Sequence, residues 1–518
     1  MDNARRQLHK TNERQRLIGC FKTNRQKNSA SSNRFSAFGG ELKISDYPLP
    51  LARKSVPSFE MMTANSLKAA KGNAFMKAIS LSLIALAVSA GYVQSVEAEA
   101  FVSDQADAKG FVEDAKLNVL LRNYYFNRDG KSGAGDRRDW SQAAMANFSS
   151  GFTPGTIGFG VDAYGWYGLK LDGGAGHSGT GNIPVDSSGS PEDEFSTAGG
   201  ALKMRLSKTE LKWGTMQPTA PVFAAGGTRL FPQTATGFSL QSSEFSGLDL
   251  EGGHFTAGNG PQHTSSSGEI YASYAGVTAN SVDFVGGKYA VSDSLSVSLY
   301  GSEFEDIWRQ YYGNANYVLA LPSDQSVAFD FNIYRTTDEG QAKAGDINNT
   351  TWSLAAAYSF LAGHTFTLAY QKVHGDEPFD YASFGDNGPG TTGDSIFLAN
   401  SIQYSDFNGP GEKSWQARYD LAMSAYGVPG LSFMVRYANG KDIDGSKMAA
   451  DSPYQAYGYG EDGKHHETNL EAKYVVQAGP AKDLSFRIRQ AWHRGNADQA
   501  EGDQDEFRLI VDYPISIL

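Results

Sequence analysis

The sequence predicts an all-β fold, a transmembrane antiparallel barrel, on three observations. Past residue 99, apolar and polar residues alternate with period two over runs of about ten residues, so each run has one oily and one wet face. Short turns built on Pro, Gly and Ser-Asp pairs take turns with long polar connections. The chain holds 58 Gly and 12% aromatic residues, yet its mean hydropathy is −0.41, as expected when every apolar side chain in a strand is balanced by a lumen-facing polar one. Only one stretch approaches the ~20 apolar residues of a membrane helix, which excludes a helical transporter. One cysteine, Cys20, excludes a disulfide framework and a cysteine-ligated metal site. The formal charge of −12 argues against a nucleic-acid partner.

That charge divides unevenly. Residues 1–75 hold 14 Lys+Arg against 5 Asp+Glu, whereas residues 99–518 hold 30 against 51, and Lys77 and Glu97 between them cancel. Residues 76–98 read as a secretory signal, with Met76-Lys77, the apolar core AISLSLIALAVSA from Ala78 to Ala90, and the small-residue site Val96-Glu97-Ala98. An uncleaved anchor is the alternative. The extension 1–75 is polar, basic and aperiodic, and is expected to be disordered. Because a signal peptide acts from the N-terminus, the extension reads as a start-site artefact, with a basic arm as the alternative. The working domain is then 99–518, cysteine-free and net −21.

The alternation is plainest near the C-terminus. Leu470, Ala472 and Tyr474 oppose Asn469, Glu471 and Lys473; Phe486, Ile488 and Trp492 oppose Arg487, Arg489 and His493; Phe507, Leu509 and Val511 oppose Glu506, Arg508 and Asp512. Leu117, Val119 and Leu121 alternate with Asn118 and Arg122. About 17 strands can be placed, good to a few residues. The long connections fall at 128–138, 173–196, 217–246, 338–348, 375–413, 441–466 and 495–505. Tyr124 and Tyr125, Tyr311 and Tyr312, and Tyr513 are read as interfacial girdles. A lumen this wide needs a plug, inward loops or an open channel. A secreted β-sandwich or β-helix is the competing fold, and the regular alternation of turn and loop lengths argues against it.

Parity puts Lys203, Arg205, Arg418, Arg436, Lys473, Arg487, Arg489 and Arg508 on the lumen face, a row suited to guiding anionic groups. Ordinary pairing with Glu471, Glu506 or Asp512 is the structural alternative. His465-His466 reads as a solvated loop pair lacking a third ligand, so no metal is expected, and no cofactor either. Glu501-Gly502-Asp503-Gln504-Asp505 reads as a solvated acidic loop that could also take divalent cations or bridge lipopolysaccharide.

Four long stretches carry a resemblance: FVSDQADAKGFVEDAKLNVLLRNYYFNRDGKSG from residue 101, GGTRLFPQTATGFSLQSSEFSGLDLE from 226, GDSIFLANSIQYSDFNGPGEKSWQARYDL from 393, and ETNLEAKYVVQ, GPAKDLSFRIRQAWHR and DEFRLIVDY at the end. They resemble the OprD-type outer-membrane porins, the substrate-specific channels of pseudomonads. The resemblance spans most of 101–518 and none of 1–75. It implies about 18 strands, short periplasmic turns, long extracellular loops, and third and seventh loops folded inward; the strand missing from the count is then expected within 268–280. It implies a monomeric channel, or a loose homotrimer, that passes basic amino acids, small peptides and carbapenems. It places Arg229 from the third loop at a constriction, with Asp394, Ser395 and Ser401 from the seventh and Tyr404 and Tyr274 nearby. Its basic ladder falls on Arg418, Arg436, Lys473, Arg487, Arg489 and Arg508. A serine-hydrolase alternative uses His254, Asp306 and Ser395, although no nucleophile-elbow glycines surround Ser395.

Overall fold

A computed structural model describes residues 100–518 except Ala134, Ala175, Gly176 and 386–395. The expected extension 1–75, the signal 76–98, and the site residues Asp394 and Ser395 lie outside the described residues.

Eighteen antiparallel strands form one closed sheet. They are β1 (Lys116–Gly130), β2 (Arg137–Ser149), β3 (Ile157–Asp172), β4 (Glu194–Leu206), β5 (Thr209–Met216), β6 (Thr234–Phe245), β7 (Leu248–Asn259), β8 (Val282–Ser292), β9 (Leu295–Phe304), β10 (Trp308–Leu321), β11 (Gln325–Asp338), β12 (Asn348–Phe360), β13 (His364–His374), β14 (Lys413–Ala422), β15 (Leu431–Ile443), β16 (Gly463–Val475), β17 (Ser485–Gly495) and β18 (Gln504–Ser516). Each pairs with the next, and β18 returns to β1 from Asn118↔Ser516 to Gly130↔Gln504. Closure leaves no unpaired edge, which a sheet in hydrocarbon requires.

The missing strand is not in 268–280. It is β6, which lies inside the stretch 217–246 read above as one long loop. Its sequence TATGFSLQSSEF carries Ser and Gly where other strands carry large residues, so the apolar signal is faint. Residues 268–280 instead belong to a fourth loop. There Ile270–Ala272 and Thr278–Ala279 form a hairpin, which pairs with Ala382–Phe384 of loop seven.

The outer face is an apolar belt. Phe159, Leu202, Trp213, Phe238, Val285, Leu299, Leu368 and Ile488 are all exposed, and no globular protein leaves such a band in water. Leu299, mid-strand in β9, is 71% exposed. Leu299→Arg is expected to cost about 2–4 kcal/mol in a lipid refolding titration, as for a cation near the bilayer midplane. The girdle reading is corrected in two of its five members. Strand parity sends Tyr124 and Tyr312 inward, where both are buried, and leaves Tyr311 outside.

Three loops fold into the lumen and supply its packed core. Phe223 of loop three, Ile270 of loop four, and Phe379 and Phe384 of loop seven pack on wall residues Phe255, Phe284 and Tyr334. The approach is close at Gly258 of β7, where a Cβ would meet Glu269 O at 2.7 Å and Phe384 Cβ at 2.8 Å. At the short-turn end, the N-terminal segment tucks under the barrel. Val102 N donates to Ser243 Oγ at 3.1 Å and Gln105 Nε2 to Thr153 O at 3.0 Å.

Candidate functional site: a cationic wall meeting an acidic loop

Register converts the predicted row into a surface. Arg418 of β14 stands opposite Arg436 of β15, Lys473 of β16 opposite Arg487 of β17, and Arg489 opposite Arg508 of β18. The closure seam extends the row onto β1 through Arg122 and Arg128, two members the sequence reading left out of the ladder. Parity placed Arg122 opposite the apolar face while Arg128 was read as opening the long connection 128–138, and nothing local says that β1 neighbours β18.

The guiding and pairing readings coexist here. Arg418 is bidentate to Asp420 at 2.7 and 2.6 Å. Glu471 takes Arg487 at 2.7 Å and Arg489 at 3.1 Å. Glu506 takes Arg508 and Arg128, both at 2.6 Å, and Asp512 takes Arg122 at 2.8 Å. Arg436 donates to Asn469 Oδ1 at 2.9 Å, while its Nη2 finds no hydrogen-bond partner among the described residues. Lys473 has no ion pair among the described residues. Two carboxylates, Glu471 and Glu506, thus each serve two cations, and the wall keeps an excess of positive charge while its guanidinium planes are held in place. Lys203 and Arg205 are not part of it. Lys203 pairs with Asp162 at 2.7 Å, and Arg205 holds the N-terminal segment through Ser103 and Gln105.

Phe126 sits where the wall meets the loops. The guanidinium carbons of Arg508, Arg128 and Arg229 lie 4.5, 5.1 and 5.4 Å from its ring centre. Arg229 comes from loop three as expected, but it is 4% exposed and its Nε donates to Thr180 O at 2.9 Å. It clasps loop two to loop three more than it faces solute. Its neighbour Leu230 is fixed by Asn182 Oδ1 at 2.9 Å, and Asn182 in turn holds Asp139 at 3.2 Å.

Loop seven caps the wall. Gln403 O accepts from Arg508 Nη2 at 3.1 Å, Tyr404 lies under Arg128 at 5.2 Å, and Glu467 accepts from Tyr404 N and Ser405 N at 3.1 and 2.9 Å. Two residues past Tyr404, Asp406 gathers three hydroxyls: Ser401 Oγ at 2.6 Å, Tyr381 OH at 2.7 Å and Tyr274 OH at 2.9 Å. Tyr274 and Ser401 were expected near one another, and Asp406 is what joins them. Burial, opposed by these hydroxyls, raises the Asp406 carboxyl above its ordinary range. Behind it, Asp380 accepts from the backbone N–H groups of Tyr274, Ala275 and Tyr381 at 2.9, 3.0 and 2.7 Å, locking loop four to loop seven. Burial lifts Asp380 to about 6.

Of the hydrolytic alternative, only His254 and Asp306 lie among the described residues, and each is engaged by other groups. His254 points outward from β7, 47% exposed, and its Nδ1 contacts Asp283 of the neighbouring strand at 2.8 Å. Asp306 is engaged elsewhere. It occupies the three-residue turn between β9 and β10 at φ 63°, accepting from Gln341 Nε2 at 2.9 Å beside Lys343 at 3.4 Å. The histidine pair is corrected too. His465 and His466 lie on β16, so they face opposite ways, and His465 is buried against His493 and Glu412 rather than solvated.

A closed barrel with a lipid belt, a loop-narrowed lumen and a charged wall has the architecture of a passive solute channel in a bacterial outer membrane, a porin and not an enzyme. Comparison with known proteins agrees. Residues 109–517 match the family model described as outer membrane porin, OprD family. The chain is 73% identical over 444 residues to Porin D of Pseudomonas aeruginosa, covering 86% of this chain and all of that one. It is 37% identical over 418 residues to the porin-like protein GalP of Pseudomonas putida, covering 80% of this chain and 95% of that one. The crystal structure of P. aeruginosa OprD superposes with a TM-score of 0.72 at 69% identity, covering 81% of this chain and all of that one. The chain belongs to the OprD family of outer-membrane porins.

Proposed function

We propose that this porin passes basic amino acids and small peptides selectively, and admits zwitterionic carbapenems by the same route. One observation carries the reading: a cationic wall from Arg418 to Arg128 ends at a loop that carries the Asp406 cluster two residues on. A basic amino acid bears a carboxylate, an α-ammonium and a cationic side chain. The wall can hand its carboxylate from one guanidinium to the next, while Asp406 and its hydroxyls take the cationic end. Hydroxyl and paired-charge contacts bind weakly enough to release, which conduction requires. Asp394 and Ser395 are assigned to the same loop-seven rim by family resemblance alone. The working form is the chain from Glu99, surrounded by outer-membrane lipid and lipopolysaccharide, with one pore per chain whether alone or in a loose homotrimer.

The test is current through the purified channel in a planar bilayer. Arginine or lysine should interrupt it transiently, and a carbapenem should compete. A large current that neither perturbs would end the claim of specificity. Arg489→Ala should lengthen the passage of carboxylate-bearing solutes about tenfold while sparing neutral ones, since a charge-assisted contact is worth about 1.5 kcal/mol. Equal effects on both would remove the guiding role.

A further inference from the structure

Where loops seven and nine meet the wall, a cluster of ligating groups lies buried beside Tyr404. His465 of β16 and His493 of β17 are 2% and 0% exposed, and Glu501 comes from the loop between β17 and β18 with its side chain 9% exposed. His465 Nδ1 and His493 Nε2 are 2.8 Å apart. Glu501 Oε2 lies 3.9 Å from the first and 3.7 Å from the second. We infer that these three residues form a binding site for a divalent transition-metal ion of the zinc class.

Hydrogen-bond roles argue for a cation there. His465 Nε2 faces Glu412 Oε1 at 2.8 Å, and His493 Nδ1 faces Gly502 O at 3.0 Å. An ionised carboxylate and a carbonyl only accept, so both of these outer nitrogens carry the N–H. In two neutral rings the facing nitrogens would then oppose lone pair to lone pair at 2.8 Å. Something positive has to sit between them, either a proton or a metal ion.

Geometry favours the metal. A triangle with sides of 2.8, 3.7 and 3.9 Å has its centre about 2 Å from every corner, which is the Zn–N and Zn–O bond length. Two histidines and one carboxylate with a remaining open position are a recurrent zinc donor set, and imidazole selects against calcium and magnesium. The outer partners match as well: a carboxylate behind one histidine and a carbonyl behind the other are what orient ligating imidazoles. Both rings are held by stacking, Phe407 on His465 at 4.1 Å and Tyr404 on His493 at 4.9 Å. These aromatics and Glu412 belong to loop seven, so a bound ion would fasten that loop to loop nine and to two strands.

The full-length channel, purified from outer membranes, is stripped with chelator and titrated calorimetrically with Zn²⁺. One saturable equivalent is expected, unaffected by excess Ca²⁺ or Mg²⁺. Glu501→Gln and His493→Gln should weaken binding by about 100-fold or more, and Glu412→Gln, acting through His465, by about 10–100-fold. Zn²⁺ should raise the thermal midpoint of the parent protein and leave Glu501→Gln, confirmed as folded by its heat-modifiable mobility, unmoved. A parent protein without saturable Zn²⁺ binding would show that a proton alone fills the gap and would overturn the site. Undiminished binding in folded Glu501→Gln would overturn it equally.

Discussion

Arg508→Ala should destabilise the barrel by about 3–5 kcal/mol, as expected when one partner of a buried ion pair is removed. Arg508 is 2% exposed and Glu506 0%. The guanidinium answers Glu506 at 2.6 Å, Gln403 O at 3.1 Å and the Phe126 ring at 4.5 Å. Among the described residues, alanine leaves Glu506 with Arg128 and Gln403, at 2.6 and 3.2 Å, so the loss should lie toward the lower end of that range. The unfolding midpoint in urea with lipid vesicles measures it. Arg508→Met combined with Glu506→Gln should recover most of the stability, because it removes the stranded charge along with the pair. If the double variant is as unstable as the single one, the cost lies in packing and not in charge. Loop seven also loses an anchor, so single-channel conductance of Arg508→Ala should rise.

Asp406→Asn should reduce the rate at which lysine and arginine enter by about tenfold, equivalent to ~1.4 kcal/mol, with little effect on neutral solutes. The attraction of two unit charges 4 Å apart in a surface-like dielectric is about 4 kcal/mol, and dehydration of the ammonium takes part of it back. Asparagine keeps an acceptor for some of the three hydroxyls, so the loop should stay folded and the change should report charge. The same residue gives the channel a pH dependence. Its carboxyl is raised above the ordinary value of about 4, so acidification neutralises it sooner than a free aspartate. Block by lysine should weaken on acidification in the parent channel, starting at a higher pH than an ordinary aspartate would set, and do so less in Asp406→Asn. Asp380, lifted to about 6, acts on stability with the opposite consequence. A carboxyl whose folded pKa exceeds its unfolded one binds more protons when folded, so its burial penalty is present above about 6 and relieved as pH falls toward 4. Loop seven should therefore hold its place more firmly at pH 5 than at pH 7.5, as hydrogen exchange at Tyr274, Ala275 and Tyr381 would show.

The strands were readable in the chain wherever large residues mark the outer face, as in Phe486, Ile488 and Trp492 against Arg487, Arg489 and His493. They were unreadable in TATGFSLQSSEF, where Ser and Gly blur the two faces and the closure of the ladder supplies the missing preference. The six ladder cations were legible as lumen-facing because side-chain parity is a local property. The same parity sent Tyr124 inward, against a girdle reading based on nearness to a strand end. It also separated His465 from His466, which adjacency in sequence had joined.

Alternation of apolar and polar residues determined that the chain is a barrel with its charged row inside, since period-two geometry needs no partner to be expressed. Contacts between distant segments were decided only by the tertiary structure. These include Asp406 receiving Tyr274 from 132 residues away, β1 carrying Arg122 and Arg128 to the seam beside β18, and Glu501 arriving over two histidines. The reason is physical. Which face a side chain occupies follows from its own backbone, but which charges meet inside a lumen depends on barrel closure and loop packing, and no local pattern encodes either.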